Sequence, residues 1–181
     1  NLDSAKASDF YGCIPGNESE QADAEQAYTQ CKLGGVTTWV RLPRDQWPAE
    51  WAGMTDPVCP LDLALYGHPD AGGYWEAHCE KHLLAAGFTP VTQWRSCFWH
   101  ERLKLFLTVY VDDFKLSGPK GNLKEGWALI RQGVKTDEPH PLGLYLGCNI
   151  RPFTRTTAEG VVLRGREYDM EDFLRDAVRK Y

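Results

Sequence analysis

From Leu105 to Val111 the chain reads LFLTVYV, an unbroken run of apolar, aromatic and β-branched residues, and it then delivers Asp112 and Asp113 side by side. FKLSG follows with strand character, so the region predicts an antiparallel hairpin with the two acids at its tight turn. In a straight strand these side chains would leave by opposite faces, and only a break in the strand lets both reach one space. SCFWH, followed by a turn at Glu101–Arg102, predicts the strand before this hairpin. TTWVRLP alternates at period two and predicts another strand, while LGLYLGCNIRPF and GVVLRG predict a strand pair.

Helical spacing is found in four places. Ser4 to Phe10 is a short candidate stopped by Gly12 and Pro15. Asp70 to Ala86 brings Tyr74, Trp75, Cys79, Leu83 and Leu84 near one face, with Gly87 as the stop. Asn122 followed by Glu125 has the form of a capping box and predicts a helix through Arg131. REYDMEDFLRDAVRKY closes the chain as an amphipathic helix through Tyr168, Phe173, Leu174 and Val178. The Pro- and Trp-rich stretch between Pro43 and Pro60 predicts irregular surface structure. Hairpins and helices are interspersed, so the expected class is α+β rather than a βαβ repeat.

Composition narrows this picture. A chain of 181 residues with 43% hydrophobic content is about one domain long and can bury a real core. It holds no apolar run near the ~20 residues that span a bilayer, and its first residues lack the form of a signal peptide. It opens on Asn rather than Met, which suggests a fragment or a processed product. Six cysteines without C-x-x-C spacing read as reduced thiols of an intracellular protein. A net charge of −5 gives no general support for nucleic-acid binding, so any such function must rest on a specific site.

Two carboxylates held close together repel, and one takes up a proton unless a cation intervenes. Magnesium suits such a pair, because it prefers carboxylate oxygen with water and phosphate completing its shell. The plainer alternative is a solvated turn, where Asp is common. A third acid is available at Asp23 in QADAEQAYTQ, with Ala27 and Tyr28 four and five residues later.

YVDD between apolar strands resembles the catalytic hairpin of reverse transcriptases, and the D-x-x-x-A-Y spacing resembles their first catalytic motif. Further segments resemble the copia-type LTR-retrotransposon enzymes in the order that family has them. They are TTWVRLPRDQWP, LALYGHPDAGGYWEAHCEKHLLAAGFTP, SCFWH, LYLGCNI and GVVLRGREYDMEDFLRDAVRKY. The resemblance runs from about residue 19 to the end. It implies the palm of an RNA-directed DNA polymerase: an antiparallel sheet backed by helices on one face, of the split β-α-β, ferredoxin-like type.

Under that resemblance Asp23 and Asp112 would bridge two magnesium ions (manganese being the alternative), with Asp113 as a third, less direct carboxylate. Two ions about 4 Å apart clamp the attacking and leaving oxygens in such chemistry. Backbone amides of Ala24, Glu25, Gln26 and Ala27 would cradle the triphosphate. Tyr28 would be the gate against a ribose 2′-hydroxyl, its alternative being an aromatic core residue, and Tyr110 of YVDD would border the substrate. The partners implied are an RNA or DNA template with primer, a deoxynucleotide, and fingers, thumb and RNase H regions of a polyprotein. The location implied is the cytoplasm, in a virus-like particle, or the nucleus. Residues 1–18 would be a remnant linking fingers to palm, 19–165 the palm with partial fingers, and 166–181 a helix leading towards the thumb.

The family's Lys-Gln is Pro69-Asp70 here, and its Arg is Gly73. These departures keep a second reading open, a catalytically degenerate retroelement-derived palm acting only as a structural or nucleic-acid-binding remnant. A third reading is an α+β interaction domain in which YVDD is a coincidental turn. His78 and His82, with Cys79 between them, have a spacing that can bind zinc, but a fourth ligand is lacking and a solvated helix face is expected. Lys115 reads as an exposed strand residue. The arginines near the C-terminus alternate with acids, as on a solvated helix.

Overall fold

A computed structural model describes residues 2–180. Its elements in chain order are α1 (Leu2–Cys13), β1 (Asn17–Asp23), β2 (Trp39–Val40), β3 (Cys59–Pro60), α2 (Ala71–Ala85), β4 (Thr89–Pro90), β5 (Cys97–His100), β6 (Leu105–Tyr110), β7 (Asp113–Pro119), α3 (Lys120–Ile130), β8 (His140–Pro141), β9 (Leu144–Tyr145), β10 (Cys148–Thr156), β11 (Val162–Asp169) and α4 (Glu171–Lys180). The class is α+β with antiparallel pairing between the strands. Two compact units are formed, one from residues 1–25 and 79–181 and the other from residues 26–78. Residue 18 lies within β1 and residue 165 within β11. No helix among the described residues is long and apolar enough to cross a membrane.

The larger unit holds a six-stranded sheet of order β4-β5-β6-β7-β1-β8 and a three-stranded sheet of order β11-β10-β9. Antiparallel partners share a face and successive residues alternate, so the register sorts every side chain. Phe114 and Leu116 of β7 share a face with Leu105, Leu107 and Val109 of β6 and with Glu20 and Ala22 of β1. This face carries the main core, with Phe114, Leu116, Leu105 and Leu107 fully buried. Helix α3 covers it through Leu123, Trp127 and Ile130, each worth roughly 1.5–3 kcal/mol in apolar burial. The helix approaches so closely that a Cβ at Gly126 would stand 2.3 Å from Leu105 Cδ1 and 3.0 Å from Leu116 Cδ2. Trp127 Nε1 donates to Glu20 Oε2 at 2.8 Å and fastens helix to strand.

The opposite face is polar. It carries Ser19, Gln21 and Asp23 of β1, Asp113, Lys115 and Ser117 of β7, and Phe106, Thr108 and Tyr110 of β6. Helix α1 lies on this face, so the expectation of helices on one face alone is corrected. Ser8 and Ser19 hydroxyls both lie 2.7 Å from the Ser117 hydroxyl. Gly12, expected to stop this helix, sits inside it. A Cβ there would fall 1.9 Å from Ser19 Oγ, so glycine is what lets α1 reach the strand.

Other expectations change in detail. The strand foreseen at TTWVRLP shrinks to Trp39–Val40 paired with Cys59–Pro60, since Pro43 and Pro60 bring no N–H to a ladder. The capping box does not form. Helix α3 starts at Lys120 after Pro119, with no side-chain cap; Asn122 donates instead to the Leu103 carbonyl, and Glu125 pairs with Arg102. Residues 166–169 are strand rather than helix, and α4 begins only at Glu171. Its apolar stripe of Phe173, Leu174 and Val178 is exposed. All six cysteines are free thiols.

The smaller unit consists of 3-10 turns at Ala27–Gln30, Arg44–Gln46 and Ala49–Trp51, the β2–β3 pair, and the first turns of α2. Aromatic contacts hold it, Tyr28 on Tyr66 and Trp47 on Trp51. The Asp70 carbonyl accepts the Tyr74 amide and so opens α2, while Gly73 is exposed with open space around it. His78 is half-buried against Trp75, and His82, in the larger unit, is half-buried against Gly133. The solvated face expected for the pair is therefore not found.

Candidate active site

Strand β1 ends at Asp23 and strand β7 begins at Asp113, and the register makes these two residues direct partners. They belong to adjacent strands near the middle of the sheet and to the same face of it. Residues 90 positions apart in sequence are thus brought together by pairing that is fixed along seven successive residues, from Asn17↔Pro119 to Asp23↔Asp113.

The β6–β7 connection is a two-residue turn, Val111 and Asp112, since Tyr110 pairs directly with Asp113. The two acids, expected to sit together at the turn, are divided: Asp112 lies in it and Asp113 is already strand. Val111 has φ +56°, the region that a hairpin turn of type II′ demands at its first central position and that glycine usually fills. A β-branched residue there is strained, by roughly 1–3 kcal/mol. What holds it is pairing on both sides: the β6–β7 ladder, and the Ala24 amide donating to the Asp112 carbonyl at 2.7 Å.

Burial is the first cause that pushes the Asp113 carboxyl up to about 6, followed by the charges of Asp23 and Asp112. Asp23 is also raised, by burial first and then by Asp137 and Asp112, while His140 opposes the shift. A hydrogen bond between the two carboxyls favours an ionised Asp23 and a protonated Asp113. Two acids placed as direct partners favour having one of them protonated unless a cation intervenes. Asp113, and not Asp112, is thus the direct ladder partner of Asp23.

Lys115 is the largest departure from the sequence reading. It is fully buried, with Nζ 2.9 Å from Asp9 Oδ1 and 4.0 Å from the centre of the Tyr145 ring. Asp9 Oδ2 accepts a further hydrogen bond from the Tyr168 hydroxyl at 2.8 Å. Desolvation lowers the Lys115 pKa while Asp9 opposes the shift. The ammonium stands on the same face as Asp113, two residues along β7, and draws the Asp113 carboxyl downward.

Two of the four amides expected to cradle a triphosphate are already engaged. Ala24 N–H donates to the Asp112 carbonyl at 2.7 Å and Glu25 N–H to the Lys135 carbonyl at 3.0 Å. Gln26 follows with φ +49° and opens the smaller unit, in which Ala27 is buried and Tyr28 is half-buried against Tyr66 at 4.4 Å between ring centres. Tyr110 is exposed beside Asp113.

The sequence reading missed Asp137 and His140. The Asp23 amide donates to Asp137 Oδ1 at 2.8 Å. Neither residue stands in a recognisable motif, and the bends in residues 131–140 that bring them here leave no periodic signal. Carboxylate oxygens are a donor set suited to a hard cation such as magnesium. Among the described residues no three His, Cys, Asp or Glu side chains are gathered into a ready-made cage. No family model matches the chain, and no curated protein is significantly similar to it.

Proposed function

We propose that this chain is the palm of an RNA-directed DNA polymerase, joining a deoxynucleotide to a primer 3′-hydroxyl on a template. The reading is supported by one observation above others: acids at the ends of two neighbouring strands are direct partners, with a third in the adjoining turn. Asp23, Asp112 and Asp113 would hold magnesium. When bound, the metal supplies a lowered pKa at the primer hydroxyl and charge stabilisation at the leaving pyrophosphate. The residues themselves do three things. Asp23 and Asp113 present oxygens to a common space, Asp113 would hold a cation only in its deprotonated form, and Tyr110 borders the open side of the pair.

The partners of this reading are a primed RNA or DNA template, a deoxynucleotide, and the fingers, thumb and RNase H regions of a polyprotein acting in a cytoplasmic particle or the nucleus.

A second reading is a palm that has lost catalysis. It is favoured by the engaged amides of Ala24 and Glu25 and by Pro69, Asp70 and Gly73 in the α2 approach. Primer extension separates the two, with magnesium, in a chain that also carries fingers and thumb. The polymerase reading predicts incorporation that Asp112→Asn reduces by about 10²-fold or more, as loss of a metal-holding acid does. Equal incorporation by both proteins, or none by either, contradicts it.

A further inference from the structure

The backbone beside Asp23 is irregular. Strand β8 pairs with β1 as Glu20↔Pro141 and Gln21↔His140, but the next bridge is Ala24↔Thr136. Ala22 and Asp23 on one side therefore oppose Asp137, Glu138 and Pro139 on the other, which is a bulge. Pro139 lies within it and has no N–H for a ladder.

At this point the Asp137 side chain stands in for a strand carbonyl. Its Oδ1 accepts the Asp23 amide at 2.8 Å, and the Asp137 amide donates back to the Asp23 carbonyl at 3.0 Å. The next residues are fixed as well, Ala24 N–H on Asp112 O at 2.7 Å and Glu25 N–H on Lys135 O at 3.0 Å. Asp137 is itself held in a turn by Thr136, whose hydroxyl donates to the Asp137 carbonyl at 2.9 Å. As a charge, the further carboxylate raises the Asp23 pKa. As an acceptor it closes the one gap in the ladder at the residue that must face Asp113.

We propose that Asp137 is a positioning residue, whose carboxyl oxygen fastens the main chain of Asp23 at the bulge and so aims the Asp23 side chain at Asp113. The proposal rests on the reading of Asp23 as a cation-holding acid. The acceptor is what matters and the charge is dispensable, so asparagine, with an oxygen in the same place, serves and alanine does not.

The test compares the 181-residue chain with its Asp137→Asn and Asp137→Ala variants, by amide hydrogen exchange and by titration with magnesium chloride. Exchange at the Asp23 amide stays within about threefold of wild type in the asparagine variant and rises about tenfold or more in the alanine variant. The β7 amides remain protected in both, which shows that both are folded. Magnesium affinity follows the same order. If the alanine variant leaves the Asp23 amide protected, or asparagine weakens magnesium binding as much as alanine does, the fastening role is overturned. A wild-type chain that takes up no magnesium overturns the cation reading of Asp23, while the exchange result still decides whether Asp137 fastens the strand.

Discussion

Asp23 and Asp113 are direct partners across the β1–β7 ladder, on the polar face of the sheet, and burial with neighbouring charge raises the pKa of each carboxyl. The pair is the structural consequence of an acid closing one strand and an acid opening its neighbour, and it stores repulsion that a proton or a cation relieves.

One outcome is a stability that depends on pH with a definite sign. The folded state raises Asp113 to about 6 from its ordinary value of 3.8. Between those values the native protein binds more protons than the unfolded chain, so this group favours folding most at low pH and its contribution is lost as pH rises through 6. In urea unfolding followed from pH 4 to pH 7.5, Asp113→Asn is expected to flatten that decline and to be the more stable protein at pH 7.5. Parallel curves for the two proteins would contradict the coupling.

The ion pair of Lys115 and Asp9 is buried on both sides, at 0% and 2% side-chain exposure. Removing one partner leaves a charge without compensation, so Lys115→Ala is expected to cost about 3–5 kcal/mol. Replacing both, Lys115→Met with Asp9→Leu, recovers most of that loss, because apolar substitutes for a buried pair are often neutral. A double-mutant cycle in urea measures the coupling. A small effect of the single change would show that the ammonium reaches water.

Val111 offers a test of backbone strain. Glycine adopts its φ of +56° without penalty, and the relief exceeds the entropy that glycine adds to the unfolded chain. Val111→Gly should stabilise the protein by about 1 kcal/mol, read from its denaturation midpoint. A loss of stability would mean that Val111 packing outweighs the turn.

The elements around the acids were legible where pattern and pairing coincide. LFLTVYV and FKLSG fix a hairpin by apolar run and length, and the strand pair expected at LGLYLGCNIRPF and GVVLRG is found as β10 and β11. Lys115 was not legible as a buried residue. Alternation puts it opposite Phe114 and Leu116, but only the docking of α1 with Asp9 shows that this polar face is covered. Asp137 left no signal because its role is set by a one-residue slip in register, a relation between distant segments. The capping box failed because Asn122 found a better acceptor at Leu103 once α3 was packed on the sheet. Residues 166–169 went to the strand because pairing with Asn149–Pro152 outweighed their place in a helical stripe.

The central claim is that these carboxylates hold a divalent cation. Calorimetric titration of magnesium chloride into the chain at pH 7.5 tests it most directly, alongside Asp23→Asn and Asp113→Asn. The account predicts saturable binding in wild type that weakens sharply below pH 6 and is abolished in either variant. No uptake by the wild-type protein, or equal uptake by all three, would contradict it.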